Sequence, residues 1–114
     1  GAKRVWITER GTSFGYNTLV VDFTGMAYIM ENYSADLIFD VTHSVQKPGG
    51  LNGSSGGNSS YVPGLARAGS ALGVRSFFIE VHADPVAAPS DGPNMLKLCD
   101  FEKVASDIKK HGSI

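Results

Sequence analysis

With 114 residues, the chain amounts to one domain at most. A hydrophobic content of 42% supplies a core, while a formal net charge of −1 provides no basic field for nucleic acid or an anionic membrane. No apolar run is long enough to span a bilayer, the first residues lack a signal-peptide pattern, and the single Cys99 excludes an internal disulfide framework or a multi-cysteine zinc module.

Arg4-Val5-Trp6-Ile7-Thr8 is β-prone and predicts a buried strand ending at Glu9-Arg10-Gly11. The planar fork of Arg10 suits a phosphate or a carboxylate, or it pairs with Glu9 or another acid. Thr12 to Asn17 reads as a loop, with Phe14 and Tyr16 as apolar anchors around Gly15. From about Thr18 to Tyr33, Leu19, Val20, Phe23, Met26, Ala27 and Met30 recur at helical spacing. They predict an amphipathic helix interrupted at Thr24-Gly25, although Leu19-Val20-Val21 also fits a short strand. Asp36 to Val41 is the second strand, carrying Leu37-Ile38-Phe39, and it delivers His43 to the segment that follows.

Ser44 to Ser60 contains Pro48 and is rich in glycine and serine without apolar periodicity, which predicts a mobile lid or disorder. It holds no Gly-Lys-Ser/Thr, so it is not a nucleoside-triphosphate loop, and the chain has no Gly-X-Gly-X-X-Gly fingerprint after a strand. Tyr61 to Leu72 predicts a small-residue helix closed by Gly73 in the left-handed region. Val74 to Val81 is the third strand, ending at Glu80-Val81-His82, and Ala83 to Asn94 is a loop presenting Asp84 and Asp91. Asp100 opens a C-terminal helix whose last turn carries Lys109-Lys110-His111, complementing the helix dipole. Cys99 reads as a packed or semi-buried thiol, and the Asn-X-Ser patterns at Asn32, Asn52 and Asn58 as chance matches.

Strand–helix alternation three times over predicts a parallel α/β sheet, either open or part of a (β/α) barrel. Three units cannot close a barrel, so the expectation is a fragment. One end of such a sheet would collect Arg10, His43, Glu80, His82 and Asp91. One histidine with two carboxylates could form part of a divalent-metal shell, or act as general acid and base with Arg10 holding an anion. Alternatively, Glu80 and Asp91 cap helices or pair with lysines.

Glu9-Arg10-Gly11-Thr12-Ser13-Phe14-Gly15-Tyr16-Asn17 and Phe39-Asp40-Val41-Thr42-His43-Ser44-Val45-Gln46-Lys47-Pro48-Gly49-Gly50 resemble the 3-deoxy-D-manno-octulosonate-8-phosphate synthase family. Ser55-Gly56-Gly57, Leu65-Ala66-Arg67-Ala68, Ile79-Glu80-Val81-His82 and Ser90-Asp91-Gly92-Pro93-Asn94 continue the likeness in the same order. Thr24-Gly25, Arg75-Ser76-Phe77-Phe78 and Pro89 depart from the usual pattern.

The resemblance implies that residues 1–114 are the last three βα units of a TIM (β/α)8 barrel. It implies condensation of phosphoenolpyruvate with arabinose 5-phosphate in lipopolysaccharide biosynthesis, by a cytoplasmic homotetramer with no nucleic-acid or membrane partner. It assigns Arg10, Asn17 and Gln46 to substrate binding and His43, Glu80 and Asp91 to catalysis. In the metal-dependent class those three would ligate Zn, Fe or Mn; the metal-independent class uses none. Pro48, Gly49, Gly50, Ser55 and Gly56 fall in the loop that closes over the substrates. The alternatives are the related 3-deoxy-D-arabino-heptulosonate 7-phosphate synthase, which uses erythrose 4-phosphate, and a non-catalytic phosphate-binding or assembly half-barrel. The 114-residue chain alone is expected to show no turnover.

Overall fold

β-prone runs alternating with helical periodicity form a parallel sheet with helices packed on it. A computed structural model describes residues 1–14, 17–51 and 54–112. The order is β1 (Trp6–Glu9), β2 (Thr12–Phe14), β3 (Thr18–Val20), α1 (Phe23–Asn32), β4 (Asp36–Asp40), a 3-10 turn (His43–Val45), β5 (Gln46–Leu51) and β6 (Ser54–Gly57). There follow a second 3-10 turn (Ser59–Tyr61), α2 (Val62–Leu72), β7 (Ser76–Phe78), β8 (Val81–His82), a third 3-10 turn (Pro85–Ala87), β9 (Leu96–Lys97) and α3 (Leu98–His111).

The main sheet runs β1-β4-β7, all parallel, with Glu9 beside Phe39 and Asp40 beside Phe78. The carboxyl ends of the three strands therefore share one rim, and Arg10, His43 and Glu80 lie just beyond it. That register comes from the alternation of side chains along each strand, because slipping by one residue would turn Leu37 and Phe39 out of the core.

Phe39 is fully buried and anchors the helical layer. Its ring meets Phe23 of α1 edge-on at 5.9 Å and the tilted ring of Phe77 at 6.2 Å. Gly69 of α2 lies so close to Phe39 that a Cβ there would come within 2.6 Å of the ring, so α2 can approach only because that side chain is missing. Met26, Leu37, Val41, Val62, Ala66 and Val104 belong to the same core, with Val45, Val74 and Leu96. Each large apolar side chain buried there contributes about 1.5–3 kcal/mol. Asp22 caps α1 by accepting from the Gly25 amide at 2.8 Å, and Gly73 ends α2 at φ 106°.

Several expectations are corrected. The first strand is not buried: Trp6 is 61% exposed, with Arg4 over its ring. Among the described residues that face of the sheet is only partly covered: the His43 ring lies against Phe78, which stays 44% exposed. Thr12–Phe14 is a strand rather than a loop, paired antiparallel with Thr18–Val20, so the helix starts at Phe23 and not Thr18. Thr24-Gly25 sits in the first turn of α1, under the Asp22 cap, and does not interrupt it.

The glycine-serine segment is no structureless loop. β5 and β6 form an antiparallel hairpin, Gln46 beside Gly57 and Lys47 beside Gly56, with the register slipping between Lys47 and Leu51. Pro48 and Gly49 (φ 71°) occupy that irregularity. The third strand stops at Phe78, and Val81–His82 pairs separately with Leu96–Lys97. The last helix opens at Leu98 rather than Asp100, which leaves Cys99 exposed and not packed. Gly15, Tyr16, Asn52 and Gly53 lie outside the described residues.

Candidate active site

Asp40 closes β4 with a buried carboxylate, and a buried carboxylate must be satisfied. Its Oδ1 accepts from the backbone amides of Thr42 (3.1 Å) and His43 (2.9 Å). Short acidic side chains reach backbone amides two and three residues on, and here they fold the chain into the 3-10 turn. The turn sets the His43 ring above the rim. Asp40 Oδ2 then lies 2.7 Å from His43 Nδ1, so Nε2 is the nitrogen that faces outward, 3.5 Å from Glu80 Oε2.

Glu80 is held by its backbone. Its amide donates to Thr42 Oγ1 at 2.7 Å, tying the end of the β7 segment to the end of β4. Asp91 comes from the following loop and adopts a left-handed φ of 54°, costly for a residue with a Cβ. Its carbonyl accepts from Asn94 N (2.8 Å) and Met95 N (3.1 Å), which keeps the turn closed. His43, Glu80 and Asp91 each offer one ligand atom, and these atoms lie within 4.8 Å of one another.

The donor set suits a divalent cation. His43 offers one nitrogen while a carboxylate orients the other, the usual second contact of a metal-bound histidine. Glu80 Oε2 is buried with no hydrogen-bond partner among the described residues. An orphaned carboxylate oxygen close to a second carboxylate is costly unless a cation sits between them. One imidazole nitrogen with two carboxylate oxygens is a donor set of the kind that divalent metal ions accept.

Arg10 does not pair with Glu9. Glu9 Oε1 accepts from the Gly11 amide at 2.7 Å, and Arg10 Nη2 donates instead to Gln46 Oε1 at 3.0 Å. Gln46 Nε2 in turn donates to Asp91 Oδ1 at 2.7 Å. Arg10, Gln46 and Asp91 thus form one chain of polar contacts that ends at the trio.

Of the residues expected on the rim, His82 stays outside the cluster, its ring bonded to the backbone of Asp84. Asn17 sits beside β3 in a left-handed turn (φ 56°), and no hydrogen bond joins it to the trio among the described residues. Pro48, Gly49, Gly50, Ser55 and Gly56 belong to the β5–β6 hairpin that starts at Gln46. Glu80 and Asp91 converge on His43 and cap no helix. Sequence reasoning passed over Asp40 and Thr42. The signal was an acid at the strand end, three residues before the histidine, with a hydroxyl between.

The whole chain, residues 1–114, matches the DAHP synthetase I family. The 2-dehydro-3-deoxyphosphooctonate aldolase of Rickettsia bellii is 54% identical over 114 residues, covering 100% of this chain and 41% of that protein. Its counterpart from Rhodopseudomonas palustris strain BisB5 is 57% identical over the same 114 residues, which are 40% of its length. Among solved structures, the phospho-2-dehydro-3-deoxyheptonate aldolase (DAHP synthase) of Thermotoga maritima superposes with a TM-score of 0.73 at 26% identity, covering 90% of this chain and 28% of that one. The fold is accordingly a sector of a (β/α)8 barrel. The chain spans about two-fifths of the curated relatives it matches.

Proposed function

The chain belongs to the DAHP synthetase I family, and on that footing we propose that it is the C-terminal part of a synthase that condenses phosphoenolpyruvate with arabinose 5-phosphate. The products are 3-deoxy-D-manno-octulosonate 8-phosphate and inorganic phosphate. The observation that carries the reading is the convergence of His43, Glu80 and Asp91 on one point, joined to Arg10 through Gln46.

In this reading the guanidinium of Arg10 binds the phosphate of phosphoenolpyruvate, using the donors that Gln46 leaves free. His43, Glu80 and Asp91 would hold a divalent Zn, Fe or Mn ion. When bound, that ion supplies Lewis-acid polarisation of the sugar aldehyde and of an attacking water. Asp40 keeps His43 in the tautomer that presents Nε2. The enol carbon attacks the aldehyde carbon, water adds to the adjacent carbon, and the carbon–oxygen bond to phosphate then breaks. The β5–β6 hairpin covers the reacting groups and excludes bulk water.

The parent protein is a cytoplasmic homotetramer serving lipopolysaccharide synthesis, and the isolated chain has no turnover. Among the described residues, no helix is long and apolar enough to cross a membrane.

A heptulosonate 7-phosphate synthase using erythrose 4-phosphate is the second reading, favoured by the Thermotoga likeness. The relatives at 54% and 57% identity weigh against it. Turnover of the full-length protein with phosphoenolpyruvate and each sugar phosphate decides between them. The expected result is product with arabinose 5-phosphate and little with erythrose 4-phosphate. The reverse preference would overturn the reading.

A further inference from the structure

We infer that Gln46 is a positioning residue whose one amide holds Arg10 and Asp91 apart while fixing both. The inference rests on the proposed metal and phosphate sites.

Gln46 is only 8% exposed, and both ends of its amide are engaged. Its oxygen can only accept, and it takes Arg10 Nη2 at 3.0 Å; its nitrogen can only donate, and it gives to Asp91 Oδ1 at 2.7 Å. Because the two partners have opposite requirements, the amide has one orientation. Each bond involves an ionised partner and is stronger than a neutral one.

The backbone makes this arrangement rigid. The Gln46 amide donates to His43 O, so the turn that places the histidine also places the glutamine. Gln46 pairs with Gly57 across the hairpin, and two residues further on the Ser59 amide donates to Pro93 O at 2.9 Å. The hairpin is therefore stitched to the loop that carries Asp91.

A neutral side chain between a guanidinium and a carboxylate has a consequence. Without it, Arg10 and Asp91 would attract each other and form a direct ion pair. That pair would occupy the carboxylate oxygen needed by a cation and the guanidinium donors needed by an anion. Gln46 satisfies both partners while leaving the remaining donors of Arg10 and the second oxygen of Asp91 for ligands.

The test uses the full-length protein, with Co2+ titrated by its visible absorption and inorganic phosphate titrated by calorimetry. Gln46→Met keeps the volume and removes both bonds. It is expected to raise the Kd for Co2+ about tenfold or more, in line with the loss of an outer-shell partner, and to raise that for phosphate severalfold. Gln46→Glu keeps an acceptor for Arg10 but neutralises it, and it is expected to raise the phosphate Kd at least about tenfold. If Gln46→Met fails to fold, the phosphate titration of Gln46→Glu carries the test. Folded variants that bind Co2+ and phosphate like the parent overturn the inference. If that happens while His43→Ala abolishes Co2+ uptake, the metal site survives and only Gln46's role falls. A parent protein that takes up no Co2+ overturns both.

Discussion

Asp40 Oδ2 lies 2.7 Å from His43 Nδ1, while Asp40 Oδ1 accepts the amides of Thr42 and His43. A single buried carboxylate therefore fixes both the backbone turn and the ring that the turn carries. Asp40→Asn keeps the size of the group but replaces one acceptor with a donor. Metal affinity of the full-length protein is expected to fall about 10- to 100-fold, measured by Co2+ titration. Unchanged affinity would mean that the ring is oriented by something else.

His43→Ala separates a site role from a structural one. It leaves Asp40 Oδ2 without this partner, at a cost to folding of about 1–3 kcal/mol. That cost still leaves the protein folded, whereas kcat is expected to fall about a hundredfold or more, since the ligand itself is gone rather than its support. Denaturant unfolding and steady-state kinetics on the same preparation give both numbers. Activity lost only in proportion to folding would assign His43 a structural part.

How much of this is legible in the sequence depends on apolar runs and their periodicity. Leu37-Ile38-Phe39 and Phe77-Phe78-Ile79 read as strands because apolar β-prone runs must be buried, and the order of elements then implied parallel pairing and a common rim for His43 and Glu80. Gly73 read as a helix terminator because few other residues tolerate its backbone angle. The β5–β6 hairpin was not legible: glycine, serine and proline carry no pattern, and its strands are set by backbone pairing and by packing against β3. The exposure of Trp6 was missed for a related reason, since an apolar run reports that a surface needs covering but not whether this chain covers it. The contacts of Asp40, Thr42 and Gln46 are tertiary or turn-specific, and spacing alone does not reveal them.

The hairpin base offers a stability test. Asn94 is fully buried with no partner for its side-chain amide among the described residues, and a Cβ at Gly57 would overlap Asn94 Oδ1. The backbone oxygen of Val45, 3.0 Å from the same point, blocks an easy shift. Gly57→Ala is expected to cost about 1–3 kcal/mol through overpacking, read as a lower midpoint in denaturant with an unchanged slope. Gly57→Ala combined with Asn94→Ala should cost less than the sum of the two, because the second change removes the obstacle. Strict additivity would show that the two residues do not press on each other.

The most direct measurement removes the cation. Full-length protein treated with a chelator, and shown by elemental analysis to be metal-free, is expected to stop forming product from phosphoenolpyruvate and arabinose 5-phosphate. Added Mn2+, Fe2+ or Zn2+ should restore turnover to the parent protein but not to His43→Ala. Full turnover by the verified metal-free protein would contradict the assignment of His43, Glu80 and Asp91 as the ligands of a working metal.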